Sequence, residues 1–198
     1  MVSDPSDDRE LVDRYLAGDA AAFTTLVERH QARVYSVCLR VIGNPEDAAD
    51  ATQEAFISAL RKLGQFRGDS AFSTWMHRVA VNSCYDLLRK RSRQPMLHLP
   101  TDQDEPEREL GPPMPDHADE VASTRDAAAA LALVPDEFRV ALVLADVQDL
   151  PYDQISEILD VPVGTVKSRV FRGRIALARA MGIEREPRGR SQPSEDEA

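Results

Sequence analysis

The chain is poor in the features that mark several functional classes. It has only two cysteines, Cys38 and Cys84, with no CxxC spacing. That excludes a disulfide framework and a cysteine-based zinc site. Both fall on apolar helical faces, which reads as buried thiols rather than redox sensors. No apolar run approaches the roughly 20 residues that span a bilayer. The first residues, Met1–Arg9, are polar and acidic, unlike a secretory leader, so a cytoplasmic location is expected. The histidines His30, His77, His98 and His117 form no HExxH, and there is no serine elbow or glycine-rich phosphate loop. Asp47, Asp50 and Glu54 could mimic a carboxylate site on one helix face, but no histidine or second carboxylate helix faces them. The chain is therefore not expected to be an enzyme, and no cofactor, metal or small-molecule substrate is expected.

A positive net charge is also missing. The formal charge is −10, which looks wrong for a nucleic-acid-binding protein until it is divided along the chain. Residues 1–95 hold 13 basic and 13 acidic side chains; residues 96–122 hold 1 and 8. Residues 123–182 hold 7 and 8, and residues 183–198 hold 3 and 5. The excess acid thus sits in a middle segment and a tail, while each flanking region is near neutral and contains a strongly basic stretch. Local basic patches decide nucleic-acid binding more than the total does.

Strand-like alternation is absent as well, and what remains reads as helix. Phe23, Leu26, Val27, Val34, Val37, Cys38 and Val41 recur at helical spacing after Asp19, a capping residue. Gly43 stops that helix, and Asn44-Pro45 caps a third that runs to about Leu63. A loop, Gly64–Asp69, precedes a long helix from Ser70 to about Arg93. Prolines at 95, 100, 106, 112, 113 and 115 then break any regular element, among acids and few large apolar residues. Further helices are expected over about 119–134, 136–147, 152–159 and 164–181. The predicted fold is all-α: two small helical domains, 8–95 and 120–182, joined by a flexible acidic linker over 96–119, with a disordered tail at 183–198. The second domain ends in a helix-turn-helix layout.

Within 164–181, Lys167, Arg169, Arg172, Arg174 and Arg179 occur with no acidic residue. Val166, Val170, Leu177 and Met181 form a core stripe, which turns Thr165, Ser168, Arg169 and Arg172 elsewhere. A helix with a polar start and arginines can enter a major groove and read guanine. The bland alternative is a solvated basic face, which the preceding short helix and turn disfavour. Asp160 stands where such a turn needs a left-handed residue, a conformation Asp tolerates better than most. The second basic stretch, Arg89, Lys90, Arg91 and Arg93, closes the long helix, where the dipole favours cations anyway. Ahead of it lie Phe66, Arg67 and Asp69, and along it Trp75, Arg78 and Asn82. Aromatics mixed with cations suit unstacked bases, although Phe72 and Trp75 also fit a plain core.

Three ordered stretches now carry a resemblance: Asp47–Phe56 (DAADATQEAF), Phe66–Trp75 (FRGDSAFSTW) and Pro162–Arg169 (PVGTVKSR). The chain resembles the extracytoplasmic-function sigma factors of the sigma-70 family over about 8–95 and 120–182. It shows no acidic N-terminal extension and no third domain. The resemblance implies that Asp47, Asp50, Gln53, Glu54 and Phe56 bind the clamp helices of the largest subunit of RNA polymerase core. It implies that Phe66, Arg67, Asp69, Trp75, Arg78, Asn82, Arg89, Lys90 and Arg91 bind the minus-ten element and help to melt it. It implies that Thr165, Lys167, Ser168, Arg169, Phe171 and Arg172 bind the minus-thirty-five element, with the second domain on the polymerase flap. The linker would pass through the polymerase's RNA channel, and an anti-sigma partner, often membrane-bound, would restrain the protein. Ala51 and Thr52 replace larger apolar residues, and Ser156 and Asp160 stand where Ala and Gly are usual. An ordinary helix-turn-helix regulator would explain 120–182 but neither of the first two stretches.

Overall fold

The computed structural model describes residues 5–93 and 126–183. The linker expected at 96–119 lies outside the described residues, and so does the tail apart from Ile183. Helix α1 is Pro5–Leu16, α2 Ala20–Ile42, α3 Pro45–Lys62 and α4 Phe72–Arg93. A 3-10 turn, Leu63–Gln65, follows α3. In the second half, residues 126–132 are helical (α5). Helix α6, Asp136–Leu142, runs into a π-helical turn, Val143–Val147. Then come α7, Tyr152–Leu159, and α8, Val163–Ala180. Among the described residues there is no strand.

The helix boundaries follow local chemistry. Asp19 accepts a hydrogen bond from the Ala21 amide at 3.1 Å and starts α2. Gly43 ends it at φ 81°, donating its amide to the Leu39 carbonyl at 2.8 Å. The Asn44 carboxamide oxygen accepts from the amides of Glu46 and Asp47, and Pro45 fills the first turn, where its missing N–H costs nothing. Helix α4 begins at Phe72, two residues later than the spacing predicts, after a bend at 68–70.

The core of the first half is built on a stripe of small residues. Ala48, Ala51, Ala55 and Ala59 of α3 are all buried, and they let α2 and α4 approach closely on either side. Ala51 belongs to this stripe, which accounts for the small residue there. Leu26, Val34, Val37 and Val41 from α2 meet Leu63, Phe72, Met76 and Val81 in the same core. Each large side chain so buried contributes roughly 1.5–3 kcal/mol. The free thiols Cys38 and Cys84 lie side by side in it. Both are buried, as their apolar spacing predicts, and the neighbouring Cys38 sulfur and burial push the Cys84 thiol far above its usual range. Helix α1 is tied down by a buried contact between the Asp8 carboxylate and His30 Nε2 at 2.8 Å.

The two halves are not separate bodies. Helix α7 packs on α4, and α6 with its π turn packs on α2. The Arg78 guanidinium donates to the Glu157 carbonyl across this contact. Gln148 approaches Ser36 Oγ at 3.5 Å, and a Cβ on Gly43 would sit 3.8 Å from that of Ala132. The apolar cores are continuous through Val140–Leu144, Ile155 and Ile158.

One buried polar group in this core has no partner. Both ring nitrogens of His77 lack a hydrogen bond. Burial, then the charges of Arg33 and His30, holds its pKa down from 6.5 to about 4. The folded state therefore keeps His77 neutral, while the unfolded chain takes up its proton near pH 6.5. Stability from this group is intact above that value and falls as the pH drops towards 4, by about 3 kcal/mol in all. His77→Leu should flatten this part of the pH profile. Urea midpoints at pH 7, 5.5 and 4.5 measure it, and parallel profiles for the two proteins would refute the assignment.

Candidate polymerase and promoter interfaces

Because Ala51 and Ala55 of α3 are buried, Asp50, Gln53 and Glu54 are turned outward and exposed. Asp47 is half-buried and paired with Arg91 from the end of α4. This ion pair joins a residue expected to bind polymerase to one expected to bind DNA. Phe56 is only 9% exposed and packs in the wall of an apolar groove between α2 and α3. That groove has a volume of about 610 Å³ and is also lined by Phe23, Val27, Tyr35, Ile57 and Leu60. Leu60 is 40% exposed on its rim. On the opposite side of α3, Asp50 and Glu54 share a cleft with Asp86, Arg89 and Lys90. Acids of α3 and bases of α4 thus lie together.

The loop before α4 is held by aromatic contacts. Phe66 meets Phe72 edge-on at 5.7 Å and Trp75 at 5.5 Å. Phe72 is 2% exposed and is core, as the bland reading of that residue has it; Trp75 is half-buried. Arg67, Asp69, Asn82 and Lys90 are exposed. Arg78 is engaged with Glu157, and Arg89 pairs with Asp86 on its own helix. Of the expected minus-ten residues, Arg67, Asp69, Asn82 and Lys90 are thus exposed and unengaged by these contacts, whereas Arg78, though exposed, is tied to the second half and Arg89 and Arg91 are paired with Asp86 and Asp47.

The helix-turn-helix is closed by two specific contacts. Asp160 adopts the left-handed conformation, φ 52° and ψ 49°, that its position demands. Ser156 donates its hydroxyl to the Val161 carbonyl at 2.6 Å, so the polar residue there braces the turn. Gly173 sits against the Phe138 carbonyl, 3.0 Å from where a Cβ would be, which lets α6 and α8 pack tightly. Val166 and Val170 are buried as expected, but Met181 is 44% exposed: it lies just past the end of α8, beyond the reach of α6.

Lys167, Ser168, Phe171 and Arg172 are exposed, and Phe171 is 65% exposed despite its apolar ring. Thr165 is half-buried, and Arg169 is turned back to Glu137 at 3.1 Å. Arg172 lies over the Phe138 ring at 5.8 Å, a cation–π contact that orients it. Arg174 is held by Asp146 through two hydrogen bonds, 2.6 and 3.0 Å, and faces the π turn. Sequence reasoning missed the supports at Phe138, Glu137 and Asp146. Their only sequence signal is membership of α6 and its π turn, which says nothing about which residue of α8 each meets.

Among the described residues, an all-helical architecture with basic side chains on α4 and its loop, and again on a helix-turn-helix, is that of a DNA-directed transcription factor. Residues 26–94 match the family model for Sigma-70 region 2, and residues 124–177 match that for Sigma-70, region 4. The chain belongs to the sigma-70 family. Within it, the chain is an extracytoplasmic-function sigma factor, an initiation factor that brings RNA polymerase core to promoter DNA. It is 38% identical to the RNA polymerase sigma-H factor of Pseudomonas aeruginosa, over 88% of this chain and 93% of that one. It is 38% identical to the ECF RNA polymerase sigma-E factor of Escherichia coli K12, over 89% and 95%. Its fold is similar to that of CnrH, solved in complex with the cytosolic domain of CnrY. There the TM-score is 0.64 at 23% identity, covering 90% of this chain and 99% of that chain. The sigma factor RpoE of Bartonella quintana, solved with the anti-sigma factor NepR, gives 0.63 at 20%, covering 82% and 98%.

The turn geometry makes a stability prediction. A β-branched residue at Asp160 would carry its strain in the left-handed region, at a cost of about 1–2 kcal/mol. Asp160→Val should lower the thermal midpoint of the full chain, whereas Asp160→Asn and Asp160→Gly should stay near the parent. Equal midpoints for all three would show that the backbone at 160 is relaxed.

Proposed function

We propose that the polymerase and promoter contacts divide along the chain as follows. Residues 8–95 bind core polymerase and the minus-ten element, and residues 120–182 bind the minus-thirty-five element and the flap. The exposed trio Asp50, Gln53 and Glu54 forms the centre of the polymerase contact, with Asp47 beside it and Phe56 supporting the helix from below. Phe66, Arg67, Asp69, Trp75, Arg78, Asn82, Arg89, Lys90 and Arg91 take the opened minus-ten strand. Thr165, Lys167, Ser168, Arg169, Phe171 and Arg172 take the upstream duplex. The observation that carries this reading is the outward placement of Asp50, Gln53 and Glu54 on α3 beside a loop and helix whose Arg67, Asn82 and Lys90 are exposed. The two sets meet in the cleft that Asp50 and Glu54 share with Arg89 and Lys90, so a protein contact and a nucleic-acid contact would adjoin on one small domain. Nucleotide transfer belongs to the polymerase, and the chain itself acts as a binding factor in the cytoplasm. Among the described residues no helix is long and apolar enough to cross a membrane. CnrH was solved with the cytosolic domain of CnrY, and the Bartonella RpoE with an anti-sigma factor. Their shared fold supports an anti-sigma partner here, and a membrane-bound one would hold the protein at the membrane. The direct test is to add the protein to core polymerase and a promoter library and to map transcription starts. Discrete starts that depend on the protein are expected.

Two variants test the assignment of surfaces. Asp50→Arg with Glu54→Arg should abolish holoenzyme formation, read by gel filtration, while the helical circular dichroism signal is unchanged. A double variant that still joined core at normal affinity would move the contact elsewhere. Arg172→Ala should relax selectivity at one or two upstream bases, at a cost of roughly 1–3 kcal/mol. Single-base promoter variants distinguish this from a phosphate contact, which would weaken every sequence alike.

A further inference from the structure

Three arginines of α8 are held by α6 and its π turn, and they are held in two different ways. Arg169 is paired with Glu137 at 3.1 Å, and Arg174 gives two hydrogen bonds, 2.6 and 3.0 Å, to the Asp146 carboxylate. Each of these contacts uses N–H donors and offsets the positive charge. Among the described residues Arg172 is paired with no acid; its guanidinium lies over the ring of Phe138, 5.8 Å from the centroid. An aromatic ring is uncharged and meets a guanidinium through the face of its plane. The five N–H donors of the guanidinium lie in that plane and point outward from its edge. Arg172 is therefore restrained with its charge and its donors free, whereas Arg169 and Arg174 must first give up an acid.

Phe138 is fixed independently of the arginine. It lies in the first turn of α6, donates its amide to the Pro135 carbonyl at 2.9 Å and is half-buried. Gly173, next to Arg172, is buried against the same residue: a Cβ there would stand 3.0 Å from the Phe138 carbonyl oxygen and 3.3 Å from the Leu142 Cβ. That close approach brings the ring of α6 within reach of the neighbouring side chain of α8. An arginine with no support loses rotamer freedom when it binds, and a ring that already holds it removes part of that cost. A bidentate contact to a base edge also tolerates little swing of the guanidinium.

We propose that Phe138 is a positioning residue that determines specificity at the minus-thirty-five element: it presents the edge of Arg172 to one base of the upstream duplex without touching DNA itself. The proposal rests on the reading of Arg172 as a base contact and adds a residue outside the recognition helix. It also separates the arginines of α8, because Arg172 carries base selectivity that its acid-paired neighbours do not.

The test uses holoenzyme formed with the full-length protein and a promoter that this holoenzyme selects from a randomised library. Each minus-thirty-five position is replaced by the other three bases, and affinities are measured by competition against a labelled promoter. Phe138→Leu keeps an apolar side chain but removes the ring. It should reduce discrimination at one position about two- to fivefold, the range of an exposed cation–π contact, and leave the other positions at parent values. Phe138→Tyr keeps the ring and should retain the parent discrimination. Arg172→Ala should abolish discrimination at the same position, and adding Phe138→Leu to it should change nothing further. The slope of log affinity against log salt should be the same for Phe138→Leu and the parent, because no phosphate contact is lost. Equal weakening at every position, or a Phe138→Tyr protein as impaired as Phe138→Leu, would make the ring ordinary packing and overturn the proposal. So would unchanged discrimination in Phe138→Leu when Arg172→Ala has lost it. If Arg172→Ala keeps full discrimination, Arg172 reads no base, and the reading beneath the proposal fails with it.

Discussion

Everything the first half does depends on the close approach of α2 and α4 to the alanine face of α3. Ala48, Ala51, Ala55 and Ala59 recur every three or four residues and are buried. With side chains this small, α3 can lie deep between its neighbours and still keep Asp50, Gln53 and Glu54 in water. A larger residue at any of these positions would push α3 outward, and overpacking of this kind typically costs about 1–3 kcal/mol. It would also shift the start of α4, which carries the loop, the aromatic contacts and the basic end. The outward acids of α3 and the basic end of α4 are thus positioned by one packing arrangement.

The same economy of size appears in the second half. Gly173 presses against the backbone of α6, and this brings Phe138 under Arg172 and Glu137 beside Arg169. Two arginines of one helix are thereby given different surroundings. Arg172 is exposed and held over a ring, and Arg169 is half-buried and paired. The contact between the halves adds a further constraint. Arg78, on the minus-ten surface, donates to a carbonyl at the end of the helix that precedes the recognition helix. Arg78 stays exposed, but this hydrogen bond ties it to the second half, so the two halves are joined at α4 by one hydrogen bond and the apolar surface around it.

Much of this was legible in the residues alone. Asp19, Gly43, Asn44 and Pro45 mark helix ends by chemistry that acts over three or four residues, and the helices begin and end there. Asp160 announced a left-handed turn and adopts one. The apolar spacing of α2 and α8 selected buried faces correctly except at Met181, where the helix outruns its partner. Periodicity shows which residues share a face, not whether another helix reaches that far.

The sequence by itself determined the helical class, the helix ends, the segregation of charge along the chain and the three ordered stretches that mark the family, because each depends on neighbours within a turn or two. Only the tertiary structure decided which charges meet. Asp47 with Arg91, Asp146 with Arg174, Arg78 with the Glu157 carbonyl and Arg9 with Gly68 are pairs separated by 28 to 79 residues. No local pattern encodes such partners, because they arise where packed helices place side chains within a few ångströms of each other.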